Sequence, residues 1–443
     1  MMSHAKNTVI RRASSDTSNT KTFIMFVERL LLLSDCECEK GFMKLLKTMV
    51  CAFLCTTALS GYASKKNREL NIWVITDIHY LAENLFRKEA SSFQKILESS
   101  GGKMIEYMPE IMREFKEKAI AEHPDAILVP GDITFNGEYE SMEELKPYFH
   151  SIQSEGIPVL MIPGNHDINY PYAGSFTGDG MFGVPNITQA EFTDQMGSFG
   201  YEQALSHAPD SFSYTYALAD DLWIMTIDAN TEAAPGTVTA ETLVWIEEQL
   251  QKAAEENIHV ITMSHQNVLR QSDYMYNGFI INNADVIEKM LKKYHVSLNL
   301  SGHAHLQHTA YDGTLTDICT ESAAIYPMGY GVLQIGEDHK RVEYTKAVFQ
   351  NNQDQAEERL VHTIHDMVAS SLRETNTPQE YQADMIRYAE EVNETYFTGK
   401  LQDSSELLNR KEFQLWRQYG ETTFIYQYIN AILTEFKPSS KES

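Results

Sequence analysis

The stretch Val159-Leu160-Met161-Ile162-Pro163-Gly164-Asn165-His166-Asp167 decides the fold. Its first four residues form a continuous apolar run, which is typical of a strand that is buried on both faces. A proline and a glycine then end the run, and three polar side chains that can bind a ligand follow at once. The stretch therefore predicts a buried strand with functional side chains at its carboxyl end.

The same pattern recurs at other places in the sequence, where a short apolar run ends in Asp or His. The recurrences are Ile72–Thr76 before Asp77-Ile78-His79, Ala126–Val129 before Pro130-Gly131-Asp132, His259–Met263 before Ser264-His265, and Val296–Leu300 before Ser301-Gly302-His303-Ala304-His305. Further strands are predicted at Leu222–Ile227, Tyr330–Ile335 and Arg341–Phe349. Amphipathic stretches lie between the runs, so we predict a layered α/β domain with helices covering the sheet faces.

The polar residues at the strand ends are expected to form one pocket, because ligand sites in open α/β sheets lie at the carboxyl ends of the strands. Each motif alone is a weak signal, since a single buried histidine is usually a core residue. Together, four histidines, two aspartates and an asparagine at successive strand ends serve no packing purpose, and burying them unpaired would be costly. Bound cations would compensate, and mixed imidazole and carboxylate ligands favour Zn, Fe or Mn over Ca or Mg.

The order of these motifs resembles that of the calcineurin-like metallophosphoesterase superfamily. The likeness is greatest to its cyclic-nucleotide phosphodiesterase branch, through Gly131-Asp132-Ile133-Thr134-Phe135-Asn136-Gly137 and Gly164-Asn165-His166-Asp167-Ile168. It covers about residues 70–350. The resemblance implies a four-layer α/β/β/α sandwich with two mixed sheets, in a catalytic domain that we place at residues 68–350.

The resemblance also implies a role for each motif residue. The implied ligands are Asp77, His79 and His305 for one metal, Asn165, His265 and His303 for the other, and Asp132 as the bridge between them. His166 would contact the phosphate and protonate the leaving oxygen. The implied cofactors are two divalent transition metal ions (Mn, Fe or Zn), which would share the attacking hydroxide.

The activity expected from the resemblance is hydrolysis of a small phosphodiester such as a cyclic nucleotide. The protein-phosphatase branch has a second Asp and an Arg where this sequence has Phe135 and Asn136, so that activity is disfavoured. A phosphomonoesterase or a nuclease would share the metal centre, and a non-catalytic secreted binding protein is a further alternative. The formal net charge of −26 argues against a nucleic-acid polymer as partner, because such binding depends on neutralising many phosphates.

Two longer segments after the motifs, Leu81–Tyr107 and Gln266–Asn283, either line the substrate site or are loops without substrate contact. Beyond Asn351 the pattern is helical only. Residues 351–437 predict a C-terminal all-helical module of roughly four helices, with aromatic stripes as its core. Asp403-Ser404-Ser405-Glu406 predicts a capping box in this module.

Residues 1–63 are interpreted as a leader, made of an over-extended start and a signal peptide at residues 43–63. Lys44 and Lys47, the apolar run Thr48–Leu59 and small residues before Ser64 match such a peptide, cleaved after Ala63. An uncleaved anchor helix is the alternative, although the run is short for a bilayer. A lipid anchor is not expected, because no cysteine follows Gly61. We therefore expect an exported protein, periplasmic or extracellular, without stable membrane insertion.

Overall fold

The computed structural model describes residues 68–275 and 277–437 of the 443-residue chain, so the interpretation of residues 1–63 lies outside the described residues. The strands are β1 Leu70–Val74, β2 Ala126–Pro130, β3 Val159–Ile162, β4 Gly174–Ser175, β5 Phe182–Gly183, β6 Ser206–His207, β7 Tyr214–Ala219, β8 Leu222–Ile227, β9 His259–Ser264, β10 Leu298–Ser301, β11 His308–Tyr311, β12 Thr316–Cys319, β13 Gly329–Ile335 and β14 Val342–Val348. The α-helices are α1 Ser91–Ser99, α2 Met108–Glu122, α3 Tyr139–Ser154, α4 Gln189–Met196, α5 Ala240–Glu256, α6 Ala284–Lys293, α7 Gln353–Arg373, α8 Gln379–Phe397, α9 Ser405–Asn409, α10 Lys411–Tyr419 and α11 Phe424–Glu435.

Two large mixed sheets organise the first part of the fold. The five-stranded sheet has the order β14-β13-β1-β2-β3, in which β1, β2 and β3 are parallel and β13 and β14 are antiparallel to their neighbours. The seven-stranded sheet has the order β11-β12-β10-β9-β8-β7-β6. Its central strands β8, β9, β10 and β12 are parallel, and β6, β7 and β11 pair antiparallel towards its edges.

The two sheets pack against each other and each has helices on its other side. One apolar core joins Leu128 and Leu160 of the first sheet, Ile224 and Met263 of the second, and Phe115 and Phe149 of α2 and α3. A separate core packs the second sheet against α5 and α6 through Ile227, Trp245, Ile246 and Ile287. The layers therefore follow the order helix, sheet, sheet, helix, and the predicted α/β/β/α sandwich is confirmed.

The C-terminal part is helical, as predicted, but it contains the five helices α7 to α11 rather than roughly four. Its core includes the buried rings of Tyr388, Tyr396 and Trp416. The predicted capping box is wrong: the Ser404 hydroxyl donates to the carbonyl of Leu433 in α11 and does not cap α9. Among the described helices, none combines the length and the apolar character needed to cross a bilayer.

Candidate metal centre

The predicted site residues come together at the carboxyl edges of both sheets. The first sheet contributes the residues that follow β1, β2 and β3, and the second contributes those that follow β9 and β10. The contributed side chains are Asp77 and His79, Asp132, Asn165 and His166, His265, and His303 and His305. The site therefore lies where the edges of the two packed sheets meet, as the strand-end argument predicts.

The backbone is strained at most of these positions. Left-handed φ angles occur at Asp77 (50°), His79 (48°), Asp132 (48°), His303 (69°) and His305 (60°). This region is uncommon for residues other than glycine, and such strain persists only where the surrounding structure fixes it. Here adjacent loops fix each other: the Asp77 N–H donates to the Gly131 carbonyl (3.1 Å) and the His79 N–H to the Asp132 carbonyl (3.0 Å).

Glycine is required at two points where these loops touch. A Cβ atom on Gly164 would collide with the backbone nitrogen and Oδ1 of Asp132. A Cβ atom on Gly302 would collide with Oγ1 of Thr76 and Oδ2 of Asp77. Any larger residue at either position would displace a candidate ligand. Both glycines therefore allow the backbone to pass close to the ligand side chains.

One group of potential ligand atoms comes from Asp77, His79, Asp132 and His305, all within 4.8 Å of one another. Nε2 of His305 lies 3.1 Å from Nε2 of His79 and 3.2 Å from Oδ1 of Asp77. That Oδ1 is buried and accepts no hydrogen bond. A buried carboxylate oxygen without a donor is costly, and a cation between these atoms would satisfy it.

A second group comes from Asp132, His265 and His303, and Asn165 adjoins it. Nε2 of His265 lies 3.3 Å from Oδ1 of Asp132, 3.0 Å from Oδ1 of Asn165 and 3.2 Å from Nδ1 of His303. The opposite ring nitrogens donate to carbonyls: Nδ1 of His265 to Pro130 and Nε2 of His303 to Gly278, each at 2.7 Å. These bonds leave the inward nitrogens free to act as ligands, as is usual for metal-binding histidines.

Asp132 belongs to both groups. Its Oδ1 faces His265 in the second group, and its Oδ2 lies 3.7 Å from Nε2 of His79 in the first. Burial alone would raise the pKa of Asp132, but the neighbouring histidines, His265 foremost, hold that pKa well below its usual value. The residue is therefore an ionised carboxylate placed to bridge two cations.

The charge states of the histidines suit metal binding. Burial lowers the pKa of His79 well below its usual value and that of His303 to about 4, so both are neutral at pH 7. Burial also acts against protonation of His265, but the Asp132 carboxylate outweighs it and raises the pKa to about 9. A cation bound at Nε2 of His265 would displace that proton. The donor set of imidazole, carboxylate and amide oxygen therefore fits a pair of divalent transition metal ions.

His166 stands outside both groups but touches the same centre. Its backbone N–H donates to Oδ1 of Asp132 (2.9 Å), and its ring lies edge-on to that of His79 with centroids 5.1 Å apart. Its Nδ1 donates to the Phe135 carbonyl (3.0 Å) and to Oδ1 of Asn136 (2.9 Å). These bonds leave Nε2 as the nitrogen available to a substrate.

Asn136 is a residue whose role the sequence did not reveal. The second Asp of the protein-phosphatase branch is absent here, and the Asn136 amide oxygen accepts a hydrogen bond from Nδ1 of His166. A neutral amide orients the ring without the negative charge of a carboxylate. The available signal was the position of Asn136 in the motif Gly131–Gly137, on the loop that follows β2.

Replacing Asn136 by alanine should lower turnover of a phosphodiester with a poor leaving group about fivefold, because loss of one orienting hydrogen bond typically costs about 1 kcal/mol. Metal content should stay unchanged, since the Asn136 amide is bonded to Nδ1 of His166 and to the Tyr172 carbonyl. The measurement is kcat together with elemental analysis of the protein. Asn186→Ala, which removes a hydrogen bond to the nearby Tyr170 carbonyl but none to His166, is the matched control. Equal kcat in the two variants would contradict the orienting role.

Asp167 stabilises the turn that presents Asn165 and His166. Its buried carboxylate accepts hydrogen bonds from the N–H groups of Gly164, Ile133 and Thr134, and from the Thr134 hydroxyl. Burial nevertheless raises the pKa of Asp167 to about 6. Asp167 thus joins the loops after β2 and β3 and is not itself among the ligand atoms.

Comparison with known proteins identifies the class of this fold and site. The model of the calcineurin-like phosphoesterase family matches residues 70–307, more than half of the sequence, and the chain belongs to that family. A second model, the C-terminal domain of cyclic nucleotide phosphodiesterase, matches residues 339–438. The predicted family membership and the predicted class of enzyme, a phosphoric ester hydrolase, are confirmed.

Individual relatives are distant. A probable cyclic nucleotide phosphodiesterase of Moraxella catarrhalis is 25% identical over 190 residues, which are 43% of this chain and 61% of the relative. A 3′,5′-cyclic-nucleotide phosphodiesterase of Nostoc sp. is 23% identical over 236 residues, 53% of this chain and 71% of the relative. Among solved structures, a dimetal phosphatase from Danio rerio is 12% identical, with a TM-score of 0.44. The match covers 63% of this chain and 99% of the Danio rerio chain.

Proposed function

We propose that this chain hydrolyses small phosphodiesters, in particular cyclic nucleotides, at the paired metal centre. The observation that carries the proposal is the Asp132 carboxylate, which is shared between two groups of ligand atoms at the carboxyl edges of the sheets. The match to a C-terminal domain of cyclic nucleotide phosphodiesterase and the names of the two distant relatives support the choice of substrate.

Each residue has a defined part in this proposal. Asp77, His79 and His305 hold one ion, Asn165, His265 and His303 hold the other, and Asp132 holds both. When bound, the two ions would activate water and neutralise charge on the phosphoryl oxygens. As an imidazolium, with Nδ1–H donating to Asn136, His166 would deliver a proton from Nε2 to the leaving oxygen. Burial lowers the pKa of His166, so this form depends on the anionic phosphate beside the ring. The proposed metals are Mn, Fe or Zn, because imidazole ligands select transition metals over Ca and Mg.

The test uses the purified protein, stripped with a chelator and reloaded with Mn, Fe or Zn. Hydrolysis of bis(p-nitrophenyl) phosphate is compared with that of the matching monoester, and with 2′,3′- and 3′,5′-cyclic nucleotides. We expect metal-dependent turnover with a higher kcat/KM for diesters than for the monoester. A monoester preference would make the chain a phosphatase, cleavage of nucleic-acid polymers would make it a nuclease, and no turnover with any metal would leave a binding protein.

We also propose that the chain is exported after cleavage behind Ala63, which the signal-like pattern of residues 43–63 supports. In this proposal residues 68–350 form the catalytic domain and residues 351–437 a helical module. N-terminal sequencing of the protein from fractionated bacterial cells tests the cleavage. A mature N-terminus near Ser64 is expected, and an intact N-terminus in the cytoplasmic fraction would contradict export.

A further inference from the structure

Two tyrosines lie beside His166 at the edge of the metal centre. The Tyr170 ring is stacked on the His166 ring, with centroids 4.3 Å apart and planes inclined by 23°. The Tyr172 ring lies edge-on to the Tyr170 ring, with centroids 5.8 Å apart. Direct ring contacts therefore connect Tyr172, through Tyr170, to the histidine that faces the leaving oxygen in the proposed function.

The backbone that carries Tyr172 forms a tight turn. The Ala173 N–H donates to the Tyr170 carbonyl at 3.4 Å, which closes a β-turn with Pro171 and Tyr172 at its two central positions. Proline is favoured at the first of these positions, because its ring fixes φ near the value that the turn requires. The turn therefore restricts the position of Tyr172 relative to Tyr170.

The same turn is bonded to the loop that orients His166. Nδ2 of Asn136 donates to the Tyr172 carbonyl at 3.3 Å, and Oδ1 of Asn136 accepts a hydrogen bond from Nδ1 of His166 at 2.9 Å. One amide group thus contacts both the backbone of Tyr172 and the His166 ring. The tyrosine is held at a fixed place relative to the centre, although its own side chain extends away from the fold.

The Tyr172 side chain is 59% exposed. The hairpin β4–β5, which follows it in the chain, also exposes Met181 (46%) and Phe182 (63%). A single exposed apolar side chain is common on a protein surface and needs no explanation. Several of them in one short segment next to a candidate site indicate a surface that binds an apolar group.

This segment also differs in charge from the rest of the chain. Asp179 is the one charged residue between Asp167 and Glu191, in a sequence whose formal net charge is −26. An acidic surface repels the phosphate of a nucleotide, whereas a nearly uncharged segment lets the nucleotide approach. The segment therefore suits an uncharged aromatic group that is attached to an anion.

The chemistry of a cyclic nucleotide places its base on this side of the centre. Whichever of the two ester bonds is broken, the leaving oxygen belongs to the ribose, and the same ribose carries the base. In the proposed function His166 faces that leaving oxygen. The base of a bound cyclic nucleotide must then lie near His166, where Tyr170 and Tyr172 are.

We propose that the nucleobase of the substrate stacks on the exposed ring of Tyr172, which thereby forms a base-binding subsite. The inference rests on the proposed function, because it takes the substrate to be a nucleotide. Every nucleobase has an aromatic face, so such a subsite favours nucleotides over other phosphodiesters and tolerates different bases. A ring that is already held in place binds at a low cost in conformational entropy. Tyr172 is thus a specificity-determining residue that does not touch the reacting atoms.

The first test measures binding of 5′-AMP and of ribose 5-phosphate, which has the same sugar and phosphate but no base, to the metal-loaded protein by calorimetry. Wild type should bind 5′-AMP about tenfold more tightly, the usual effect of stacking a base on one aromatic ring. Tyr172→Ala should abolish this preference and leave the Kd of ribose 5-phosphate unchanged, whereas Tyr172→Phe should keep the preference. Tyr311→Ala, which removes a 67% exposed tyrosine of β11, is the matched control and should bind both ligands as wild type does.

The second test measures the hydrolysis of 3′,5′-cyclic AMP. Tyr172→Ala should raise KM about tenfold and change kcat little, because a stack that is present in both the bound substrate and the transition state contributes uniform binding. The Tm should stay the same, since most of the ring is exposed. A fall in kcat without a change in KM would contradict base binding.

Equal affinity of wild type for 5′-AMP and ribose 5-phosphate would overturn the proposal, and so would a preference that persists in Tyr172→Ala. A similar loss of affinity for both ligands in Tyr172→Ala would also overturn it, because the variant would then act on the phosphate site. Binding needs no turnover, so the two proposals can fail separately. A wild type that prefers 5′-AMP through Tyr172 but hydrolyses no diester would overturn the proposed function alone, and hydrolysis of bis(p-nitrophenyl) phosphate without any base preference would overturn the subsite alone.

Discussion

Replacing Asp132 by asparagine should lower phosphodiester hydrolysis by about 10³-fold or more and reduce the bound metal from a pair to a single ion or none. The two oxygens of Asp132 face the two ligand groups, and an amide offers one neutral oxygen in place of two charged ones. Metals contribute several kcal/mol of transition-state stabilisation, which corresponds to a rate effect of this size. The measurement is kcat/KM with elemental analysis after metal loading and desalting.

The metal-free protein should also lose stability in this variant. In the fold the pKa of Asp132 lies well below its usual value and that of His265 is raised to about 9, so at pH 7 the ionised pair stabilises the folded state. Asp132→Asn removes one partner of this buried pair, so the metal-free variant should be less stable than metal-free wild type. Wild type should gain Tm on metal addition, because ions that bind only the folded state stabilise it, and the variant should gain little.

Asp228→Asn is the matched control for this substitution. Asp228 is also fully buried and accepts hydrogen bonds from the N–H groups of Phe212 and Asn230, but it contributes to neither ligand group. The Asp228→Asn variant should keep both metals and most of the wild-type activity. Two bound ions and normal turnover in Asp132→Asn would show that the carboxylate is not the bridge.

The sequence predicts the centre of the sheets far better than their edges. β3 and β8 begin and end at the predicted residues, because each is a continuous apolar run that is buried along its whole length. β11 was not predicted, since His308–Tyr311 alternates exposed and half-buried side chains at a sheet edge. β6 was also missed, since a strand of two residues has no period to detect. Edge strands take their shape from their neighbours more than from their own sequence.

The residues of the candidate site also differ in how far the local sequence reveals them. Asp77, Asp132 and His303 were predicted because each directly follows a strand within a short motif. Asn136 was not, because its hydrogen bond to the ring of His166 joins two loops that are 30 residues apart in the sequence. The predicted number of C-terminal helices was too low for a related reason. Arg410 has an extended backbone between α9 and α10, and the apolar pattern does not show this break.

Replacing His166 by glutamine should separate proton transfer from metal binding. His166 has no atom in either ligand group, and its backbone N–H, which donates to Asp132, is retained in any variant. Both metals should therefore remain. Turnover of a 3′,5′-cyclic nucleotide, whose leaving oxygen is an alkoxide that needs a proton, should fall by about 10²–10⁴-fold, the usual contribution of a general acid.

The same variant should lose less than about tenfold on bis(p-nitrophenyl) phosphate, because p-nitrophenolate leaves without protonation and general-acid help is then of little value. The measurement is kcat for both substrates on protein of equal metal content. His150→Gln, an exposed histidine of α3, is the control and should show no leaving-group dependence. An equal loss on both substrates would assign His166 to binding the phosphate, and near-normal turnover of the cyclic nucleotide would remove it from catalysis altogether.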